Sequence, residues 1–277
     1  MTVVLPQQRA GLPAPEGFSP VPSLRVAAAL AVPEAWRIVR HPVALAGLTL
    51  HLVVFASLAD NGPRDAFDVN STGSTFFYGV FVYFAVNLVA TRTRRSRSGE
   101  LLAPLAAGEH ERTLALCLAS VGPTLLNIVV TAAGYLMLEL RGLFEVHPTF
   151  WHLAQGPLTV LGAALLGVMV ARWSPYPGMA LVVMVAMFAW NIWLSNDGNG
   201  DGGLLGTYVS WAVYGPGTAW YGLYPGSPAW HVAYLASLCA MAAAGAVLRT
   251  TPHRWRVLCL GAGFTACAVA TGWAQLP

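Results

Sequence analysis

Five polar side chains sit inside long apolar runs of this chain: His51, Asn87, Asn127, Thr131 and Asn191. In hydrocarbon such groups need a partner or a cavity, and an amide can serve either need without carrying charge. Asn127 is the most central, in the segment Gly122-Pro123-Thr124-Leu125-Leu126-Asn127, where Pro123 also frees a backbone carbonyl upstream. Two readings compete. Asn87, Asn127 and Asn191 line a pathway, with a hinge at Pro123, or they make interhelical hydrogen bonds worth only ~1 kcal/mol; the second is the commoner case. His51 has no evident partner and reads as a packed or pore-facing histidine rather than a haem ligand.

Outside the apolar runs, Asp197, Asn199 and Asp201 followed by Gly202 space oxygen ligands like the first half of a calcium loop. The twelfth position of such a loop needs a bidentate carboxylate and here holds Tyr208, so the run reads as a flexible turn. The cysteines Cys117, Cys239, Cys259 and Cys267 all lie in apolar runs without CxxC or Cys/His ligand spacing, as small packing residues do. HExxH, GxSxG and Walker A patterns are missing, and the acidic residues fall in loops. These residues therefore predict no catalytic group and no metal site in this chain.

The elements that hold these residues are apolar helices. The chain is 56% hydrophobic and 10% charged, against about a quarter charged in soluble domains. Several runs reach the ~17–25 residues needed to cross a bilayer. Seven spans are expected, at 43–59, 75–90, 113–138, 153–171, 178–194, 229–248 and 257–274. The fold class is all-α, a polytopic membrane helix bundle of six to seven spans, with residues 24–277 as one transmembrane domain. Residues 1–23 hold five prolines and are expected to form a disordered cytoplasmic tail. No basic region leads into an apolar core there, so no cleavable signal peptide is expected.

All fifteen basic residues are arginine, as in an Ala/Gly/Arg/Pro-biased bacterial genome. With the N-terminus inside, thirteen of them fall on the cytoplasmic side and only Arg64 and Arg141 face outward. Pro33-Glu34-Ala35-Trp36-Arg37-Ile38-Val39-Arg40-His41 is too short to span and is expected to lie on the inner leaflet, behind the short apolar stretch 24–32 that should not cross. The loop at about 195–228 carries Tyr208, Trp211, Tyr214, Trp220, Tyr221 and Tyr224, too aromatic to float in water. It should lie as interfacial or re-entrant helices at the outer surface, broken at Gly215-Pro216-Gly217. Alanine stripes, Ala236/Ala240/Ala244 and Ala262/Ala266/Ala270, would permit close packing of the last two spans, although alanine is abundant throughout.

The densest charge block is the loop 92–112, with Arg92, Arg94, Arg95, Arg97 and Arg112. After it Gly99 can start a turn, Glu100 suits a helix N-terminus, and Leu101, Leu102 and Leu105 make a compact apolar face. Pro104 and Gly108 interrupt that face before Glu109 and Glu111 open the next helix. A loop that needed only to be wet would not need an apolar face.

On this pattern, Ser98-Gly99-Glu100-Leu101-Leu102-Ala103-Pro104-Leu105 behind a basic run and ahead of a long third span, the chain resembles the permease subunit of a bacterial type-2 ABC exporter, a class that moves drugs, lipids and polysaccharides. The resemblance implies that Glu100, Leu101, Leu102, Pro104, Leu105, Gly108 and Glu109 form a coupling helix that docks on a separate ATPase subunit. It further implies a second permease chain, identical or homologous, with ATP and Mg bound by the partner ATPase and none by this chain. The location expected is the bacterial inner membrane, in contact with lipid, with no role for nucleic acid. A seventh span departs from that family's six. The alternative function is a non-transporting membrane scaffold or assembly factor that binds a cytoplasmic partner or anionic lipid through the basic loop. A proton-coupled secondary transporter is weaker, since the spans offer no carboxylate and no internal repeat.

Overall fold

The computed structural model describes residues 23–95, 108–176, 178–195 and 227–274, and among them every regular element is helical. In chain order these are α1 (Ser23–Val39), α2 (Pro42–Leu58), α3 (Pro63–Ser71), a π turn (Thr75–Gly79), α4 (Val80–Arg95), α5 (Glu109–Ala119), α6 (Val121–Leu140), α7 (Phe150–Trp173), α8 (Met179–Ser195), α9 (Pro228–Leu248) and α10 (Arg254–Ala274). Five runs are long and apolar enough to cross a membrane: Asp65–Arg92, Glu109–Leu140, Phe150–Trp173, Pro228–Leu248 and Arg254–Ala274. The pair Leu24–Val39 and Pro42–Leu58, bent by 56°, makes a sixth if counted together. The chain is thus a multi-pass helical membrane protein, with five to six candidate spans among the described residues. The fifth expected span, α8, is the short one: 17 residues rise only ~25 Å.

Three further boundaries differ from expectation. Residues 24–32 and 33–41 were expected as a non-crossing stretch and a separate surface helix, yet α1 runs through Pro33 without a break. Tertiary contact outweighs the hydrogen bond that proline removes, because Ala27, Ala31 and Ile38 are buried where α1 packs on α5. The second span begins about ten residues before 75, at a helix start favoured by Pro63 and by Asp65 in the first turn. The third fuses α5 and α6 into one 32-residue run that ends at Gly142. There φ is +64°, and Gly142 and Leu143 donate back to the carbonyls of Glu139 and Leu138, which satisfies the last turn. The tail before Ser23, the interfacial loop expected at 195–228 and the calcium-like run at 197–202 lie outside the described residues.

Cross-contacts give every span a direction. Tyr83 Oη donates to the Ala180 carbonyl (2.9 Å) and Phe76 stacks on Phe188 (6.2 Å), so α8 runs antiparallel to α4. Trp173 Nε1 donates to the Gly245 carbonyl (2.8 Å) and Cys239 Sγ reaches the Leu158 carbonyl (3.3 Å), so α7 and α9 are parallel. One end of the bundle therefore gathers Arg37, Arg40, Arg92, Arg112, Arg172 and the turn after α9. The opposite end is tied by Arg141 to Asp60 at 2.8 Å.

At the centre lies α7, whose spanning window is 72% buried, whereas that of α10 is 6% buried. Water drives no burial between helices in lipid, so small residues that allow close approach matter most. The useful stripe is Ala163, Gly167 and Ala171 on α7, which meets Val82, Tyr83, Val86 and Ala90 of α4. A Cβ on Gly167 would sit 2.7 Å from the Tyr83 carbonyl oxygen, closer than any side chain tolerates. The Ala262, Ala266 and Ala270 stripe of α10 is exposed.

Candidate functional site

The second span carries a polar run in its interior, Asn70-Ser71-Thr72-Gly73-Ser74-Thr75, where the α-helical pattern becomes irregular without the run being cut in two. The helix is interrupted at Thr72 alone; Gly73 and Ser74 are helical again, and a π turn over Thr75–Gly79 leads into α4. Hydroxyls hold this stretch: Ser71 Oγ donates to the Phe67 carbonyl (2.8 Å) and Thr72 Oγ1 to the Asp68 carbonyl (2.9 Å). Irregular backbone at membrane depth survives only inside protein or along a cavity, and this segment meets that condition. Asn70, Ser71, Ser74 and Thr75 are all buried.

Three helices close around it. From α6, Asn127 Nδ2 donates to Ser74 Oγ at 3.1 Å, and Asn127 is fully buried. From α7, Thr159 Oγ1 pairs with Thr75 Oγ1 at 2.7 Å while also donating to the Gly156 carbonyl at 2.8 Å. Gly156 makes this closeness possible, since a Cβ there would lie 2.6 Å from Ser74 Oγ and 3.0 Å from the Ser71 carbonyl oxygen. From α2, buried His51 lies beside Gly73, and Asn70 lies against Gly134 of α6. The start of α7 that brings Gly156 here is fixed by a capping box in which Thr149 and His152 satisfy each other.

Several of these groups keep unused hydrogen-bonding capacity. His51 Nδ1, Asn70 Nδ2, Asn127 Oδ1 and both amide atoms of fully buried Gln155 have no protein partner among the described residues. Such density of spare donors and acceptors is unusual where each unpaired group costs ~1–3 kcal/mol. Among the described residues, the side chains that form the cluster include no carboxylate and no arginine. Its chemistry is therefore hydrogen bonding to uncharged or dipolar groups, without a fixed charge to attract an ion.

One side opens laterally. Thr75, Phe76, Gly79 and Val80, with Thr159, Ala163 and Leu166 of α7 and Met184, Met187 and Phe188 of α8, line a narrow cleft of about 60 Å³. Its walls are aliphatic, thioether and aromatic, and its polar contribution comes from the two threonine hydroxyls. The site thus joins a polar interior to an apolar opening that faces where lipid would be.

The residues anticipated from sequence divide three ways. Glu100, Leu101, Leu102, Pro104 and Leu105 lie outside the described residues. Gly108 is the N-cap of α5 in extended conformation, and Glu109 stands in its first turn with Glu111. Glu109 Oε1 approaches Arg172 Nη1 at 3.8 Å, a loose pair between an exposed carboxylate and a largely buried guanidinium that links the start of α5 to the end of α7. Asn127 belongs to the polar cluster. Asn87 does not: its Nδ2 donates to the Gly167 carbonyl at 3.2 Å, an interhelical bond at the tightest α4 to α7 contact, about 20 Å along the helix from Ser74. Asn191 is in α8, and its side chain is outside the described set. Thr131 is buried on α6.

Sequence reading missed the run 70–75 and Gln155, Gly156 and Thr159. A sixfold repeat of Asn, Ser, Thr and Gly reads as turn chemistry outside a span. The available signal was Phe76 onward, apolar and in phase with Ala66, Phe67 and Val69 ahead of the run. Among the described residues, no group of three or more His, Cys, Asp or Glu side chains converges as a metal site. Compared with known proteins, the chain matches no model of a protein family, no curated protein and no solved structure.

Proposed function

We propose that this chain is the membrane-spanning permease subunit of an ATP-driven exporter of the type-2 ABC class, handling an amphipathic, lipid-like cargo. The observation that carries a transport role is the irregular second span: a buried, uncharged polar run among side chains with spare hydrogen-bonding capacity, next to an apolar cleft that it meets at Thr75 and Thr159. Irregular helices around a binding site recur in transporters because freed backbone and side-chain dipoles can bind a solute without a full charge.

The ABC assignment rests on the loop pattern at 98–105, and the layout of the spans supports it. The two helical runs that leave this loop, Asp65–Arg92 and Glu109–Leu140, are the two joined by the Asn127 to Ser74 bond. A cytoplasmic ATPase that moved the loop would lever both runs against the polar cluster. Such coupling works only if the ATPase holds the loop differently in its two states. ATP and Mg would be bound by that partner, a second permease chain would complete the pathway, and the arginine-rich end would face the cytoplasm of a bacterial inner membrane.

Affinity purification of the full chain from its native membrane tests the reading. The wild type is expected to retain a Walker A ATPase, and Leu102→Asp or Glu100→Arg to lose it, or its transport-linked ATP hydrolysis, while still inserting normally. A wild type that retains no ATPase, or variants that couple normally, would overturn the assignment and favour the scaffold function.

A further inference from the structure

At the arginine-rich end, the 56° bend between α1 and α2 opens a second cleft that the export reading does not use. It is an open cleft of about 860 Å³, lined by Trp36, Arg37, Arg40, His41 and Pro42 of the bend and by Leu88, Val89 and Arg92 of α4. Three guanidinium groups come from two elements far apart in sequence, and no acidic side chain lines the cleft among the described residues. We propose that this cleft is a binding site for the headgroup of an anionic glycerophospholipid, its phosphate bonded by Arg40 in the positive field to which Arg37 and Arg92 add, and its acyl chains descending along Leu88 and Val89.

Each part of the cleft suits that ligand. The Arg40 guanidinium lies 4.0 Å over the Trp36 ring, which fixes its plane and leaves its edge donors to a phosphate oxygen. Arg37 is partly neutralised by Glu34 at 2.6 Å, so it supports the field more than it supplies a bond. His41 is not a fourth cation. Its Nδ1 accepts the Val43 N–H at 3.3 Å, and partial burial lowers its pKa, so it acts as a neutral cap for α2. The N-terminus of α2, opened by Pro42, adds its positive dipole end to the same space.

The surroundings select lipid over a soluble anion. Trp36 is exposed, as are tryptophans at the polar boundary of a bilayer, and the cleft sits where α2 and α4 enter their apolar lengths. A free phosphate or an acidic peptide would gain nothing from the Leu88 and Val89 wall. A phospholipid uses both halves, and by wedging into the bend it would hold α1 against α4.

Native mass spectrometry of the full chain released from detergent tests the site, with dioleoylphosphatidylglycerol and dioleoylphosphatidylcholine as probes. Wild type is expected to bind the anionic lipid more tightly. Arg40→Gln with Arg92→Gln should weaken that binding by about fivefold per arginine and leave the zwitterionic lipid unchanged. Arg254→Gln with Arg256→Gln, equal in charge but on α10, should change neither. Should the double variant not purify as a monodisperse species, Arg40→Gln alone carries the comparison at about fivefold. Equal losses in both pairs, no preference for the anionic lipid, or displacement of the lipid by millimolar inorganic phosphate would each overturn the proposal.

Discussion

Asn127 and Gln155 are both fully buried amides, yet they face different energetics. Asn127 has a partner in Ser74, and the bond crosses two spans. A double-mutant cycle of Ser74→Ala and Asn127→Ala should give a coupling of ~0.6–1.7 kcal/mol in thermal or denaturant unfolding, the range for such bonds in membrane proteins. A coupling of zero would mean that the bond contributes nothing. Gln155 has no protein partner for either amide atom among the described residues. Its replacement by methionine, similar in length, should therefore leave the melting temperature unchanged or higher, since the cost of burying an unpaired amide disappears. Loss of transport at full stability in Gln155→Met would place the amide on the cargo's path, whereas a clear drop in melting temperature would show it to be structural.

Among the elements, α7 decides whether the bundle closes. It is the most buried span, and Gly167 sets its distance from α4, with the Asn87 amide bonded to the same residue's carbonyl. Gly167→Leu should destabilise the protein by ~1–3 kcal/mol, the usual cost of overpacking, because the atom in the way is backbone and cannot rotate aside. Gly263→Leu is the matched control, since nothing lies within 4 Å of a Cβ at that site on α10. Equal melting temperatures for the two variants would contradict the packing described. The irregular run at 70–75 belongs to the same scale. Asn, Ser, Thr and Gly are turn formers when water surrounds them, but here their hydroxyls bond back to the helix and across to α6 and α7, so the run is stable inside the bundle.

For the whole molecule, the sorting of arginines to one end predicts orientation. Reporter domains inserted at Gly142 and at Pro252 should sit on opposite sides of the membrane, the first outside and the second in the cytoplasm. Activity of both reporters on one side would remove either α7 to α9 or the assumed path of the chain between them. The apolar lengths were enough to read an all-helical multi-pass bundle. Apolar length is a property of composition over a window, which a bilayer tests locally, one helix at a time. Only tertiary structure decided the rest. Proline at position 33 stays inside a helix because α5 supports it, α8 falls short of a full span, and the alanine stripe of α10 faces outward while one on α7 does the packing. The polar cluster unites residues 53 and 84 apart in sequence, through glycines whose only signature is what they leave out. Hydropathy records whether a residue prefers lipid to water, but a contact between helices depends on the register of two separated segments, and that register exists only once the bundle has packed.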